Sequence, residues 1–398
     1  MEQERCRSSK NMWRVGELMA NFEERMQIKN DLLEGKIPKR VFVGASFTFE
    51  AACGYAGIDL AKAHYDFELA EKAYESICQN FYLDTLPGMS IRYPASYQIL
   101  GAKNWIMGSN GVVQHPEIVS MEADEYDEYI ANPYDTMVEK FLPRVCTELD
   151  TDPVTRSQVL AKAYYSYKKS VTGSVGIMMK LSQKYGLVPG FVKGELIEAP
   201  FDFVADQLRG FREINFDLRR RPDKVKAAVE ATLPLMMKRS VTRVIPPGKT
   251  NFIPLHLAPY IKMKDFEEYF WPTLEELVVE LDKLGIACLL FAEENWTRFA
   301  DYLARLPKSS IIWFEAGDPK LLKEVVGKDH LICGFYDPTI TLSRSKEECI
   351  DEAKRLIDVC APGGKFYFAF DKSVLDIKSI NVPKLQAVLD WVSLNTNY

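Results

Sequence analysis

The chain has 398 residues, 47% of them apolar, and a formal net charge of −6. That supply of apolar side chains is ample for a folded core and excludes a disordered chain. The acidic balance, with nothing more basic than the short RRRP run at 219–222, argues against a nucleic-acid partner.

Residues 1–30 are charged throughout, so neither a signal peptide nor a membrane anchor is expected there. No apolar run approaches the about 18 residues that a membrane span needs. Eight cysteines are scattered without paired spacing, which predicts reduced thiols and a cytoplasmic location.

From the N-terminus, residues 12–35 are expected to form one or two amphipathic helices outside the main domain, whose boundary falls between 38 and 39. KRVFVGASFTFEAACGYAG (39–57) holds a short strand followed by small residues. Asp59 to Gln79 has helical spacing, and FYLDTLPGMSIRYP carries a second strand with a turn at Pro87-Gly88. Residues 95–135 show weak periodicity and are expected to be a long excursion, its acidic stretch a solvated face. Phe141 to Lys184 is expected to be mostly helical. GELIEAPFDFVADQLRG (194–210) predicts a strand or loop and then a helix, and two helices separated at Pro222 follow.

The stretch Asn251 to Lys372 is the most regular. NFIPLH ends at His256, IACLLFAEE at Glu293 and Glu294, SSIIWFE at Glu315, HLICGFYD at Asp337, and KFYFAFDK at Asp371 and Lys372. Helical spacing fills the gaps between these runs. Short, wholly apolar strands alternating with amphipathic helices predict a parallel sheet buried on both faces. In a closed (β/α)₈ barrel (a TIM barrel), residues just beyond the strand C-termini converge on one mouth, where chemistry sits. The expected architecture is one such α/β barrel over 39–398, with an N-terminal helical extension and a long early insertion.

Several stretches, in this order, resemble the uroporphyrinogen decarboxylase superfamily: GIDLAKAHYDFELAEKAYESICQNFYLDTL, EAPFDFVADQLRGFREINFDLRRRPDKV, PPGKTNFIPLHLAPYIKMKDFEEYFWPTLEELV, LLFAEENWTRFADYLARLPKSSIIWFE and GFYDPTITLSRSKEECIDEAKRLIDVCAPGGKFYF. The resemblance covers about residues 40–392 and implies the same barrel. It also implies either a porphyrinogen decarboxylase or a corrinoid-dependent methyltransferase. The decarboxylases grip substrate carboxylates with an arginine-bearing loop, whereas the corresponding VGASFTFEAACGYAG has no arginine. Their essential Asp would fall near Ser90–Ile91 and is missing. A polycarboxylate macrocycle needs several cationic partners, and this mouth is acidic.

The methyltransferase branch is the closer resemblance. Its thiol-methylating members hold zinc with a His-x-Cys pair and a later Cys. His256 matches that His, but Ala258 replaces the first Cys, and the later one falls at Asp371 or Lys372. The expected function is methyl transfer between a small methoxy or methylamino compound and a corrinoid (cobalamin) protein. The rivals are decarboxylation of a non-porphyrin acid, held by Lys372 or Arg92, and a non-catalytic corrinoid or tetrapyrrole carrier. A homodimer is an open alternative to a monomer.

His256, Glu293 and Glu315 are the candidate Zn²⁺ ligands, an N/O donor set with an open position. The alternative is a neutral His256 hydrogen-bonded to a carboxylate. Of adjacent Glu293 and Glu294 only one can face the barrel axis, and the resemblance favours Glu293. Near a second carboxylate it would have a raised pKa and could act as acid or base. Glu294 would then pair with Arg298 or cap the next helix. Asp371 and Lys372 are candidates for the pocket wall and for catalysis. Asp318 is expected to cap a helix. Asp337 either initiates a turn or contacts substrate. The resemblance places the loop of Phe201, Asp202 and Phe203 at the pocket, as substrate-binding residues, though Asp202 could simply cap its helix. Cys333 is a third option as a metal ligand.

Overall fold

The computed structural model describes residues 15–88, 92–241 and 245–396. The missing Asp expected near Ser90–Ile91 lies outside them. Among the described residues there are seven strands: β1 (Ile106–Met107), β2 (Val113–Gln114), β3 (Thr250–Leu255), β4 (Ala287–Asn295), β5 (Ile311–Ala316), β6 (Leu331–Gly334) and β7 (Phe366–Tyr367). β1 and β2 form a small antiparallel hairpin in the early excursion. Strands β3 to β7 pair in sequence order as a parallel sheet.

Single parallel bridges extend that sheet into a ring. Val43 pairs with Phe368, Thr85 with Val188, and Leu196 with Phe252. Asp84 N–H donates to the Val43 carbonyl at 3.0 Å, joining the first two segments. The staves at 43–47, 84–86 and 188–196, added to β3–β7, close the (β/α)₈ barrel.

Period-two alternation sorts each stave into two faces. Ile253, Leu255, Leu290, Ala292, Ile312, Phe314, Phe368 and Phe370 point outward into the main core, against the surrounding helices. Phe42, Val188, Leu289, Ile311, Leu331, Cys333, Tyr367 and Ala369 form a second cluster inside the barrel. Because both faces are buried, the runs read as continuously apolar.

The helices start where their sequences place caps. Asp318 accepts from the amides of Lys320 and Leu321, and Ser345 and Glu348 form a reciprocal capping box. The expected helix from Asp59 to Gln79 is instead two, Leu60–Ala63 and Phe67–Asn80, because Asp66 caps the second. Phe141 to Lys184 is mostly helical as expected: short turns at Leu142–Val145 and Thr147–Leu149 precede one long helix, which starts at Pro153 with Asp152 accepting from Val154 and Thr155 and runs to Tyr185. Its 33 residues span about 50 Å. No helix among the described residues is long and apolar enough to cross a membrane.

The N-terminal helix, Val15–Leu33, corrects a second expectation. It does not lie outside the barrel. Ile28 and Leu32 pack into the interior cluster and plug the base, each burial contributing about 1.5–3 kcal/mol. Lys29 follows them in, donating to the carbonyls of Pro189 and Gly190 at 2.6 and 2.8 Å. Amphipathic spacing marks a buried face but not which surface it meets, so the sequence could not tell a plug from an appendage.

Candidate active site at the barrel mouth

Three strands carry the centre of the mouth. On the inward face of β3 and the residue beyond it stand Phe252, Pro254 and His256; on β4, Phe291 and Glu293; on β5, Trp313 and Glu315. All line one cavity. The aromatic rings form a floor. Centroids of Phe291 and Trp313 are 4.3 Å apart, with Phe252 at 6.4 and 6.5 Å from them. Trp313 is fixed by its indole N–H, which donates to the Phe370 carbonyl at 2.8 Å.

Above the floor lies a carboxyl–imidazole–carboxyl line. His256 Nδ1 is 3.4 Å from Asp206 Oδ2, and Nε2 is 3.6 Å from Glu293 Oε1. The ring is set by its own backbone: fully buried Asp202 accepts from the amides of His256 and Leu257 at 2.9 and 3.1 Å. Burial holds the His256 pKa below the ordinary imidazole value, with nearby His115 acting in the same direction. Part of the ring stays open to the cavity.

The carboxyls are displaced the other way. Glu293 is pushed up to about 7, first by burial and then by Glu315 and Asp206. Burial and Glu117 push Asp206 to about 7, and burial with Asp206 does the same for Glu198. Asp202 is raised by burial and Asp206. Like charges in a poorly solvated site disfavour ionisation.

Glu315 is engaged differently. Lys372 Nζ binds Glu315 Oε1, and the Glu294 amide donates to Oε2 at 2.8 Å. Asp371 accepts from the Lys372 amide at 2.6 Å, and burial raises it to about 7. Glu294 points away from the floor with φ of 60°, beside a register shift in β4 between Ala292 and Asn295. Arg298 donates to the carbonyls of Ala258, Pro259 and Ile261.

Three residues expected to touch substrate are placed elsewhere. Phe201 is fully buried against Phe270, with centroids 5.7 Å apart. Asp202 holds the β3 loop by the two amide bonds above. Asp337 closes its own turn, accepting from the Thr339 amide at 2.8 Å. Phe203 does line the cavity. Cys333 is fully buried inside the barrel, and burial raises its thiol pKa.

Glu198, Asp206 and His115 were not legible as site residues. The available signal was Asp202 and Asp206 at four-residue spacing, which puts two acids on one helical face; Glu198 lies in the loop just before that helix, which begins at Pro200. The turn Phe203–Arg209 is widened to π geometry, a form that recurs at functional sites. His115 follows β2 and lies on Trp105, with centroids 4.1 Å apart; Arg92 sits 4.3 Å from the Trp105 centroid.

The Zn²⁺ expectation does not fit this geometry. Among the described residues no three His, Cys, Asp or Glu side chains converge as metal donors. Glu315 would have to leave Lys372 to join His256 and Glu293. The cavity opens against an apolar wall from the long helix. Leu160, Tyr164, Tyr167, Val175 and Met179 line it while remaining exposed.

Residues 194–373 match the family model described as Uroporphyrinogen decarboxylase (URO-D). No curated protein matches the chain. The matched segment contains Glu198, Asp206, His256, Glu293, Glu315 and Lys372, so it spans the mouth as well as most of the barrel. Over that segment, 180 of the 398 residues, the chain is similar to the uroporphyrinogen decarboxylase family, whose members are enzymes built on this barrel.

Proposed function

We propose that the protein moves a methyl group from a small methoxy or methylamino compound to a corrinoid carried by a partner protein. One observation carries this reading: the Asp206–His256–Glu293 line stands directly over an aromatic floor, while Lys372 is already paired with Glu315. Such a mouth binds an apolar group and manages protons. It is poorly suited to gripping a carboxylate, which decarboxylation of an acid requires.

The corrinoid, when bound, supplies the nucleophilic centre that accepts the methyl group. The chain's own residues do the rest. Phe252, Phe291 and Trp313 hold the donor so that its methyl group faces the open mouth. As the bond from carbon to oxygen or nitrogen breaks, its electron pair stays on the heteroatom. Glu293, with a pKa near working pH, gives that atom a proton where it needs one. His256 then passes a proton to Glu293 and regains one from Asp206. Asp202 keeps the imidazole in line through the β3 loop.

The test is an anaerobic spectrophotometric assay with reduced cobalamin and a panel of methoxy and methylamino compounds. Formation of methylcobalamin with at least one donor, lost in Glu293→Gln, supports the reading. Carbon dioxide release from a carboxylic acid without methyl transfer would replace it with decarboxylation. Corrinoid binding without either reaction would make the protein a carrier.

A further inference from the structure

We propose that the methyl donor is a cationic N-methyl compound, an ammonium seated on Phe252, Phe291 and Trp313 under the carboxyl rim. This rests on the methyl-transfer reading above.

The geometry of the strands carries it. Glu293 is two residues beyond Phe291 and Glu315 two beyond Trp313, so each acid stands about 6.6 Å above its ring on the same face. His256 is on the same face as Phe252, four residues further along and two beyond Pro254. The three rings are only partly buried, in a barrel interior where their neighbours Leu289, Ile311 and Tyr367 are almost wholly buried. What opens onto the cavity is therefore ring surface, which attracts a cation through the aromatic quadrupole.

The rim points the same way. Lys372 meets Glu315 and Arg239 lies near Glu198, yet Asp206, Glu293 and Glu198 line the same mouth. Glu198 Oε2 is buried and has no hydrogen-bond partner; its other oxygen accepts from Gln207 Nε2 at 3.2 Å. An anionic ligand would meet repulsion here, and a neutral ether would leave the acids facing one another. An ammonium supplies the missing positive charge, and its methyl groups present the apolar surface that the floor requires.

The chemistry balances with a quaternary nitrogen. The carbon–nitrogen bond breaks with its electron pair left on nitrogen, the methyl group passes to the corrinoid acceptor, and a neutral tertiary amine departs. No oxidant, reductant or added proton is needed.

The experiment is isothermal titration of the full chain with choline and with 3,3-dimethylbutan-1-ol, which replaces N⁺ by carbon at nearly constant shape. Choline is expected to bind about tenfold tighter. Glu293→Gln should remove that advantage while leaving the alcohol's affinity unchanged, and Trp313→Leu should weaken choline. Thermal unfolding establishes that each variant is folded; should Trp313→Leu fail, Phe291→Leu replaces it. Equal or tighter binding of the alcohol by the unmodified protein overturns the proposal. If methoxy compounds still methylate cobalamin in that case, methyl transfer stands and only the donor class falls. Choline preference without transfer from any donor overturns both.

Discussion

The two ends of the barrel spend their charges differently. At the base, Asp84 is fully buried and accepts from Arg25 at 3.1 Å, Arg40 at 2.7 and 2.8 Å, the Val43 amide at 2.8 Å and Tyr82 at 3.1 Å. At the mouth, Asp206 and Glu293 face His256 at 3.4 and 3.6 Å, separations at or beyond the limit of a hydrogen bond. Charges satisfied on every side hold a scaffold together. Charges left under-satisfied beside a cavity are available to a ligand.

The largest expected effect tests the base. Asp84→Ala leaves Arg25 and Arg40 without their shared carboxylate, and should lower stability by about 3–5 kcal/mol, read from the urea midpoint. Activity per folded molecule should be retained. The mouth should behave in reverse: Glu293→Gln is expected to lower methyl transfer about 100-fold or more from donors whose leaving atom takes a proton, while leaving the midpoint unchanged or higher. A loss of stability in Glu293→Gln comparable to that in Asp84→Ala would erase the distinction.

A smaller effect is a pair of opposite pH slopes. Glu198, Asp206, Glu293 and Asp371 lie at about 7 in the folded chain, above the ordinary carboxyl range. The folded state therefore keeps protons that the unfolded chain releases. Their stabilisation is complete below about pH 4 and is lost as pH rises through about 7. Lys29 at the base is lowered to about 7 by burial and then by Lys193. Its cost is complete below about 7 and is relieved as pH rises toward about 10.5. Urea midpoints from pH 5 to 10 should show both trends, the first flattened by Glu293→Gln and the second by Lys29→Met. The smallest effect is Lys29→Met at neutral pH, expected within about 1 kcal/mol, since losing two carbonyl contacts offsets removing a buried amine.

The barrel was legible because its staves are buried on both faces, which leaves short apolar runs such as IACLLFA and SSIIWF that end in ionisable residues. The site was legible only along those runs. His256, Glu293, Glu315 and Lys372 come from strand ends, whereas Asp206 comes from a helical segment where acids normally face solvent, and Glu198 from the loop before it. His115 was hidden for a different reason. It comes from an excursion without periodicity, and only the folded hairpin carries it toward the mouth. Phe201 shows the converse error: an aromatic beside a predicted pocket is still most cheaply buried in the core.

The ring has one seam with unusual ancestry. Gly44 N–H donates to the Phe368 carbonyl at 2.8 Å, and Phe368 N–H to the Phe42 carbonyl at 2.9 Å. These partners lie near opposite ends of the chain, so the seam cannot form until nearly all of the polypeptide is available. Contacts of such long sequence separation slow folding, because loop entropy is lost before they contribute. During synthesis the helix that plugs the base emerges long before Tyr367 and Ala369, its interior neighbours, are made. Until then its apolar face is exposed, and this segment is one where a nascent chain would need shielding.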